Sequence, residues 1–389
     1  MKIFCTIALP VLLLLPLYGM AQEEEKKQKL MEWKGYVKDL QGAGFINPFD
    51  SISSINLLHN RFNARVNFND HLFARIEVRN RIFAGSQLKQ VPNFGELINQ
   101  YNGILNLSHL WVNEPSVVIH SVADRLLVQY QTDGWDITIG RQRINWGVNT
   151  IWNPNDIFNA YNFLDFDYEE RAGTDAIRVQ HYWKNNTALE LAYKPAKNAN
   201  ESIAAILYKF NKNKYDYQVL SGWYQSDIVV GAGWAGSIKE AGFKGELGYF
   251  HPRTNMLDTT GVISFSMMAD KTFKHDWYAS ISVLFNSNPS GMLTGNESLL
   301  SSTLSAKQLF PFRYTFYTGV VKSFSPITSI NISVIYSPEK NTFIFYPAFS
   351  WNVFKNIDID ITAQSFFAEQ NGFYKSLGNA LFLRGKWSF

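Results

Sequence analysis

The 389-residue sequence has one cysteine, Cys5, so the chain can form no internal disulfide and no cluster of thiolate metal ligands. Charged residues are only 18% of the total, and 36 basic against 33 acidic residues leave a formal charge of +3. That surplus is too small for a nucleic-acid surface. Beyond residue 21 no apolar run approaches the roughly 20 residues of a membrane-spanning helix, which argues against a helical membrane protein. Catalytic motifs are missing as well. There is no Gly-x-Ser-x-Gly elbow, no His-Glu-x-x-His pair and no phosphate loop, and the seven histidines show no ligand spacing. Ser108-His109 and His120-Ser121 are sequence neighbours that would point to opposite faces of a strand, so neither serves as nucleophile and base. We therefore expect no enzyme, no catalytic residues, no cofactor and no metal. What the chain does have is apolar and aromatic material: 46% hydrophobic residues, with 30 Phe, 19 Tyr and 11 Trp. Disorder is excluded by that content. A mean hydropathy of −0.15 leaves a soluble β-rich protein or a closed barrel with its apolar residues at every second position.

The N-terminus reads as an export signal. Lys2 precedes an apolar stretch from Ile3 to Leu17, and Gly19 and Ala21 are the small residues of a cleavage site before Gln22. Residues 1–21 are thus expected to be a signal peptide and residues 22–389 a single domain, with Glu23-Glu24-Glu25-Lys26-Lys27 as a short solvated tail.

From Trp33 onward apolar and polar residues alternate again and again. Phe62, Ala64, Val66 and Phe68 oppose Arg61, Asn63, Arg65 and Asn67; Phe243, Leu247 and Tyr249 oppose Lys244 and Glu246. Leu381, Leu383, Trp387 and Phe389 likewise oppose Arg384, Lys386 and Ser388. Eighteen strands can be placed, near residues 34–46, 54–68, 71–83, 117–131, 135–143, 174–183, 187–194, 201–211, 214–225, 228–238, 241–250, 258–270, 276–286, 311–323, 327–337, 342–354, 357–367 and 378–389. Residues 104–112 are a further strand candidate, and the count spans 16–18. Short polar turns such as Asn69-Asp70, Asp133-Gly134 and Lys355-Asn356 alternate with mostly longer links, of which 84–115, 144–173 and 286–310 are the longest. Short turns at one end and long loops at the other are the layout of a transmembrane antiparallel β-barrel. The physical reason is that lipid offers no hydrogen bonds, so only a closed sheet with apolar side chains outside satisfies every backbone group. Aromatic girdles are expected from Trp33, Tyr36, Tyr130, Trp135, Trp183, Tyr249, Trp277, Tyr278, Trp351 and Trp387.

Two resemblances sharpen this reading. The ending Trp387-Ser388-Phe389 resembles the C-terminal assembly signal of bacterial outer-membrane barrels. Residues 123–178 hold Gly140-Arg141-Gln142, Trp146-Gly147 and Asn153-Pro154-Asn155-Asp156. This segment is similar to the Gly-Arg-Gln-x-x-x-Trp-Gly hairpin and Asn-Pro-x-Asp loop of porin-like barrels related to alginate-export channels. The resemblance implies a bacterial outer-membrane location, surrounding lipid and barrel-assembly machinery as partners, and a pore for small solutes, in some relatives anionic saccharides. Homotrimers are common among porins, and no interface is visible from one sequence.

Two groups of residues are candidates for function. Arg61, Arg65, Arg75, Arg79 and Arg81 share the polar faces of neighbouring strands, with Glu77 opposing, and Arg125 and Arg178 occupy the polar faces of theirs. Such a wall either selects anions or braces the barrel through ion pairs. Strict alternation would put Arg141 and Arg143 on the apolar face, so either a bulge at Gly140 turns them inward, the reading we favour, or they lie above the apolar band at the headgroups. The second group is the aromatic, acidic loop 144–173, with Asp156, Asp165, Asp167, Glu169 and Glu170, which we expect to fold into the lumen and set its acids against the arginines, the alternative being an ordered extracellular cap. The leading function is a porin-like channel for small hydrophilic, in one variant anionic, solutes or saccharides. The alternative is a non-transport barrel (adhesin, surface-assembly or polysaccharide-binding protein) whose lumen is plugged by the apolar segment Ile104–Val118.

Overall fold

The structure is a computed structural model that describes residues 29–46, 52–99, 103–160, 170, 172–291 and 304–389. The expected signal peptide and tail, and the loop acids Asp165, Asp167 and Glu169, lie outside the described residues. Nineteen strands are described: β1 Met31–Phe45, β2 Ser53–Asn67, β3 Leu72–Ala84, β4 Ser108–Glu114, β5 Val117–Gln131, β6 Trp135–Gln142, β7 Thr174–Tyr182, β8 Ala188–Lys194, β9 Ile203–Lys212, β10 Tyr215–Tyr224, β11 Asp227–Ile238, β12 Ala241–Pro252, β13 Val262–Phe273, β14 Trp277–Asn286, β15 Tyr314–Ser325, β16 Thr328–Ser337, β17 Thr342–Phe354, β18 Ile357–Gln370 and β19 Phe373–Ser388. Every wall strand runs antiparallel to its neighbours, and β1 pairs with β19 to close the ring. Because β3 pairs directly with β5, the ring is an eighteen-stranded barrel.

The nineteenth strand, β4, answers a local problem. β5 pairs with β6 only over Leu126–Gln131, because the chain leaves the wall after Gln142. β4 takes the vacated edge, pairing Ser108 with Val122 through to Glu114 with Val117. Residues 108–114 are therefore part of the wall, as the strand candidate at 104–112 allowed, and not the plug that the non-transport alternative would make of Ile104–Val118.

Alternation produces the two faces as read from the sequence. Leu191, Ile206, Val219, Val230, Ile281 and Phe316 are exposed on the outside, whereas Arg61, Gln218, Glu246, Ser266 and Gln364 are buried inside. Trp33, Trp135, Trp183, Trp277, Trp351 and Trp387 are exposed near the short-turn end, where amphipathic rings suit an interface. Tyr36 and Tyr278 are corrections to that girdle: they sit one residue out of phase with Val37 and Trp277. Tyr36 is buried and reaches the His59 ring at 3.4 Å. Hairpins at the short-turn end are tight. The β9–β10 turn has Asn213 and Lys214 at φ 54° and 67°, the left-handed pair that two-residue hairpins require.

The half of the lumen nearest the long loops is filled by infolded chain. Leu88 and Phe94 pack with Leu40, Leu57, Phe83 and Val118. Ile151 and Trp152 join Leu309, Phe310 and Phe312 against Met268, Leu284 and Phe366. Trp146, Ile157 and Phe158 cover Leu207, Leu220 and Phe250.

Candidate functional site in the barrel lumen

The site has two opposed walls, and each is set by inward positions of consecutive strands. On β2, β3 and β5 the arginines interlock with two acids. Arg61, only 2% exposed, donates to Asp124 at 2.7 Å, to Glu77 at 2.6 Å and to Asn63 at 3.1 Å. Arg79 donates to the other oxygen of Asp124 at 3.0 Å. A register shift opposite Glu77 and Val78 lets β5 present two successive residues, Asp124 and Arg125, to this cluster. Arg125 donates to the Asp124 carbonyl at 2.8 Å and to Glu170 at 3.4 Å. Arg81 meets the ring of His120 at 3.1 Å. Toward the short-turn end the wall opens: Arg65 lies 3.7 Å over the Phe73 ring and donates to Asn67, and Arg75 stands 3.9 Å from Glu77 with 38% of its side chain exposed. Arg178, on β7, has a buried Nε without a hydrogen-bond partner.

Across the lumen, residues 143–160 are held by β8 to β13. Trp146 donates its indole N–H to Glu190 at 2.7 Å, and Gln218 donates to the Trp146 carbonyl. The anchor is Glu246 of β12, which is 0% exposed. Its two oxygens accept backbone N–H bonds from Val148 at 2.6 Å, Asn149 at 2.7 Å and Asn155 at 2.9 Å. Asn155 also donates to the Ala232 carbonyl, and Ser266 donates to the Trp152 carbonyl. Glycines on the facing strands make the room. A Cβ on Gly231 would lie 2.5 Å from the Asn155 amide oxygen, and one on Gly248 would lie 3.3 Å from the Pro154 carbonyl. Gly231→Val is accordingly expected to dislodge Asn155 and expose the segment to limited proteolysis at rates well above wild type. An unchanged digestion pattern would show that the contact does not seat the segment.

One expectation needs correction. Asp156 is buried one residue after the Asn155 backbone that binds Glu246, and Glu170 meets the arginine wall at Arg125. Gly140 does not start a bulge, since the β5–β6 and β6–β7 ladders run without a register shift. Gly140 has φ 116°, and Arg141 keeps the parity of outward Ile139. It is nevertheless only 2% exposed, because residues 103–107 lie over it. Its guanidinium pairs with Asp175 at 2.9 Å and donates to the carbonyls of Ala123 and Leu105, while the Leu105 N–H reaches Asp175 at 2.8 Å. Arg141 thereby closes the gap in the wall where β6 ends and β4 begins. Arg143, one step beyond β6, is exposed.

At the short-turn end the lumen widens into a cavity of about 770 Å³, lined among others by Tyr278, Ser350, Asp358, Asp360, Arg384 and Lys386. Arg384 and Asp360 form an ion pair at 2.8 Å there. At the same end, where β1 meets the end of β19, the Phe389 ring packs 5.2 Å from Trp387 and 6.1 Å from Trp33. Among the described residues no cluster of His, Cys, Asp and Glu could hold a metal ion.

No family model matches the sequence, and no curated protein matches it. Solved structures do. OccAB4 of Acinetobacter baumannii is 8% identical, with a TM-score of 0.59 over 93% of this chain and 99% of that one. OprD of Pseudomonas aeruginosa is 7% identical, with a TM-score of 0.58 over 92% of this chain and 95% of that one. OccK11 (OpdR) of Pseudomonas aeruginosa is 9% identical, with a TM-score of 0.56 over 92% and 96%. At such identities the likeness is one of fold.

Proposed function

We propose that this chain is an outer-membrane channel for the diffusion of small hydrophilic solutes. The observation that carries the reading is the internal segment 143–160, fixed by Glu246 to one wall of a closed barrel and facing an arginine-bearing wall on the other side. A barrel that served only as a membrane anchor has no need of a precisely seated constriction in a charged lumen. The fold is shared with outer-membrane porins, which supports both the bacterial outer-membrane location and the channel role. The resemblance of Gly140-Arg141-Gln142, Trp146-Gly147 and Asn153-Pro154-Asn155-Asp156 to alginate-export-type barrels supports the same role, since Trp146 and Asn155 of that motif hold the internal segment to its wall. The C-terminal Trp387 and Phe389 serve as the signal to the assembly machinery, and residues 1–21 as a removed export signal. No catalytic role is assigned.

Most of the wall's arginines are committed to bracing. Anion preference then rests on the more open guanidiniums of Arg65, Arg75 and Arg178. Purified protein in a planar bilayer tests the channel reading. Discrete conductance steps are expected, with a reversal potential in a salt gradient displaced toward that of the anion. A silent barrel would remove the channel function, and a potential displaced toward the cation would remove the anion preference alone.

A further inference from the structure

Two rungs of the β2–β3 ladder set arginine directly opposite arginine on the lumenal face: Arg61 with Arg79, and Arg65 with Arg75. Like charges at opposed positions repel, so each rung needs anions beside it. The first rung finds them within the chain. Asp124 accepts from Arg61 with one oxygen and from Arg79 with the other, and Glu77 accepts a second bond from Arg61. Two carboxylates there face two guanidiniums. The second rung has no such partners. Glu77 is committed to Arg61 and stays 3.9 Å from Arg75, beyond hydrogen-bond distance. Glu32 of β1 stands opposite Arg65 in register, but no hydrogen bond or ion pair joins them.

The guanidiniums of this second rung are nevertheless held in place. Arg65 lies 3.7 Å over the ring of buried Phe73, and Arg75 lies 6.0 Å from the same ring. The Nε of Arg65 donates to Asn67 at 2.8 Å, and buried Asn67 is itself fixed by a 2.8 Å bond to the Lys29 carbonyl. Ring and amide together set the plane of the guanidinium and leave its Nη edge over. Among the described residues nothing accepts a hydrogen bond from that edge, nor from Arg75. An arginine that only meets water has no use for such a platform and tether. The rung lies toward the short-turn end, close to the Asn69-Asp70 turn, where the lumen opens.

We propose that Arg65 and Arg75 form a clamp for a dianionic phosphate group, either the free ion or the phosphate monoester of a small solute. The ligand chemistry follows from the first rung. There a single carboxylate bridges the two arginines through separate oxygens, and a second carboxylate completes the charge. A phosphate dianion supplies both functions at once: several oxygens to bridge the forks, and two negative charges for the two guanidiniums. A halide has no second acceptor atom, and a single carboxylate carries half the charge. Phe73 is the positioning residue, because it presents Arg65 edge-on to the ligand at little cost in side-chain freedom. The passage of a phosphate-bearing solute rests on the channel reading; the clamp itself needs only the folded barrel.

The test is equilibrium dialysis of radiolabelled inorganic phosphate against the purified full chain at about pH 8, where phosphate is largely dianionic. Folding of each variant is checked by the mobility shift between unboiled and boiled samples. One saturable site is expected in wild type. Arg75→Gln and Phe73→Leu should each weaken it by roughly tenfold, the first by removing a charge and the second by releasing a guanidinium that stays charged. Arg384→Gln removes a cation at the same end of the lumen and should bind phosphate as wild type does. Dimethyl phosphate, tetrahedral but singly charged, should compete at least about tenfold more weakly than phosphate. Competition by glycerol phosphate as strong as that of the free ion assigns the site to a phosphate-bearing solute, and its failure assigns the site to free phosphate; both uphold the clamp. No saturable binding, wild-type binding in Arg75→Gln or Phe73→Leu, an equal loss in Arg384→Gln, or equal competition by dimethyl phosphate overturns it. Dialysis does not depend on conductance. A barrel that binds phosphate but passes no current removes the channel function alone, and a conducting barrel that binds none removes the clamp alone.

Discussion

Glu246→Ala is expected to raise single-channel conductance by about a factor of two and to make the segment 143–160 accessible to protease. The argument is one of unmet donors. Three backbone N–H groups, of Val148, Asn149 and Asn155, converge on one fully buried carboxylate. Alanine leaves all three without that partner, at about 1–3 kcal/mol for each buried group. The cost is relieved if the segment leaves the wall and its N–H groups reach water, which widens the lumen. Glu246→Gln keeps one carbonyl acceptor but turns an NH2 group toward the remaining donors, so it should lie between wild type and alanine. Wild-type conductance together with a wild-type digestion pattern in the alanine variant would show that the segment is held by its apolar contacts instead.

Asp124→Ala should act on the opposite wall, through stability and charge together. Asp124 is 3% exposed and holds Arg61 with one oxygen and Arg79 with the other. Removing one partner of a buried ion pair typically costs about 3–5 kcal/mol, because the remaining charge stays buried. The folded barrel should therefore lose its heat-resistant mobility at a distinctly lower temperature. The same change adds one positive charge to the wall, so the reversal potential should move further toward the anion. Replacement by asparagine preserves shape and one acceptor, and should recover part of the stability while keeping the charge effect. If neither melting nor reversal potential moved in the alanine variant, Asp124 would not be the centre of this cluster.

The barrel was legible in the sequence because lipid and lumen impose opposite demands on successive residues. That constraint writes period two into every wall strand, and it located all eighteen. The infolding of the loop after Gln142 was legible in its aromatics. Its anchor was not: Glu246 reads as one more polar residue opposite Leu247 until the loop is placed over it. A usable signal existed in Gly231, Gly233 and Gly248, small inward residues on the two strands that face Asn153-Pro154-Asn155-Asp156. Arg141 misled for a different reason. Alternation gave its parity correctly, but burial came from residues 103–107, which are remote in sequence and not wall-forming. The burial of Asp156 beside Asn155 was not legible, because a loop's path across a lumen leaves no periodic trace.

The seam between β1 and β19 has a consequence for how the molecule is made. Every other wall contact joins strands that follow one another along the chain or, for β3 and β5, strands with only β4 between them, so local pairings can form while the rest is unfolded. The seam alone joins residues such as Tyr36 and Ser388, or Phe45 and Asn379, across almost the whole polypeptide. Until that register is found the sheet keeps two bare edges, each a template for pairing with another chain. Closing so large a loop carries an entropic cost that no local contact shares, which places the seam last in the order of assembly. The aromatic contacts of Trp33, Trp387 and Phe389 at its short-turn end then act as a clasp, engaged only by a sheet that has come full circle.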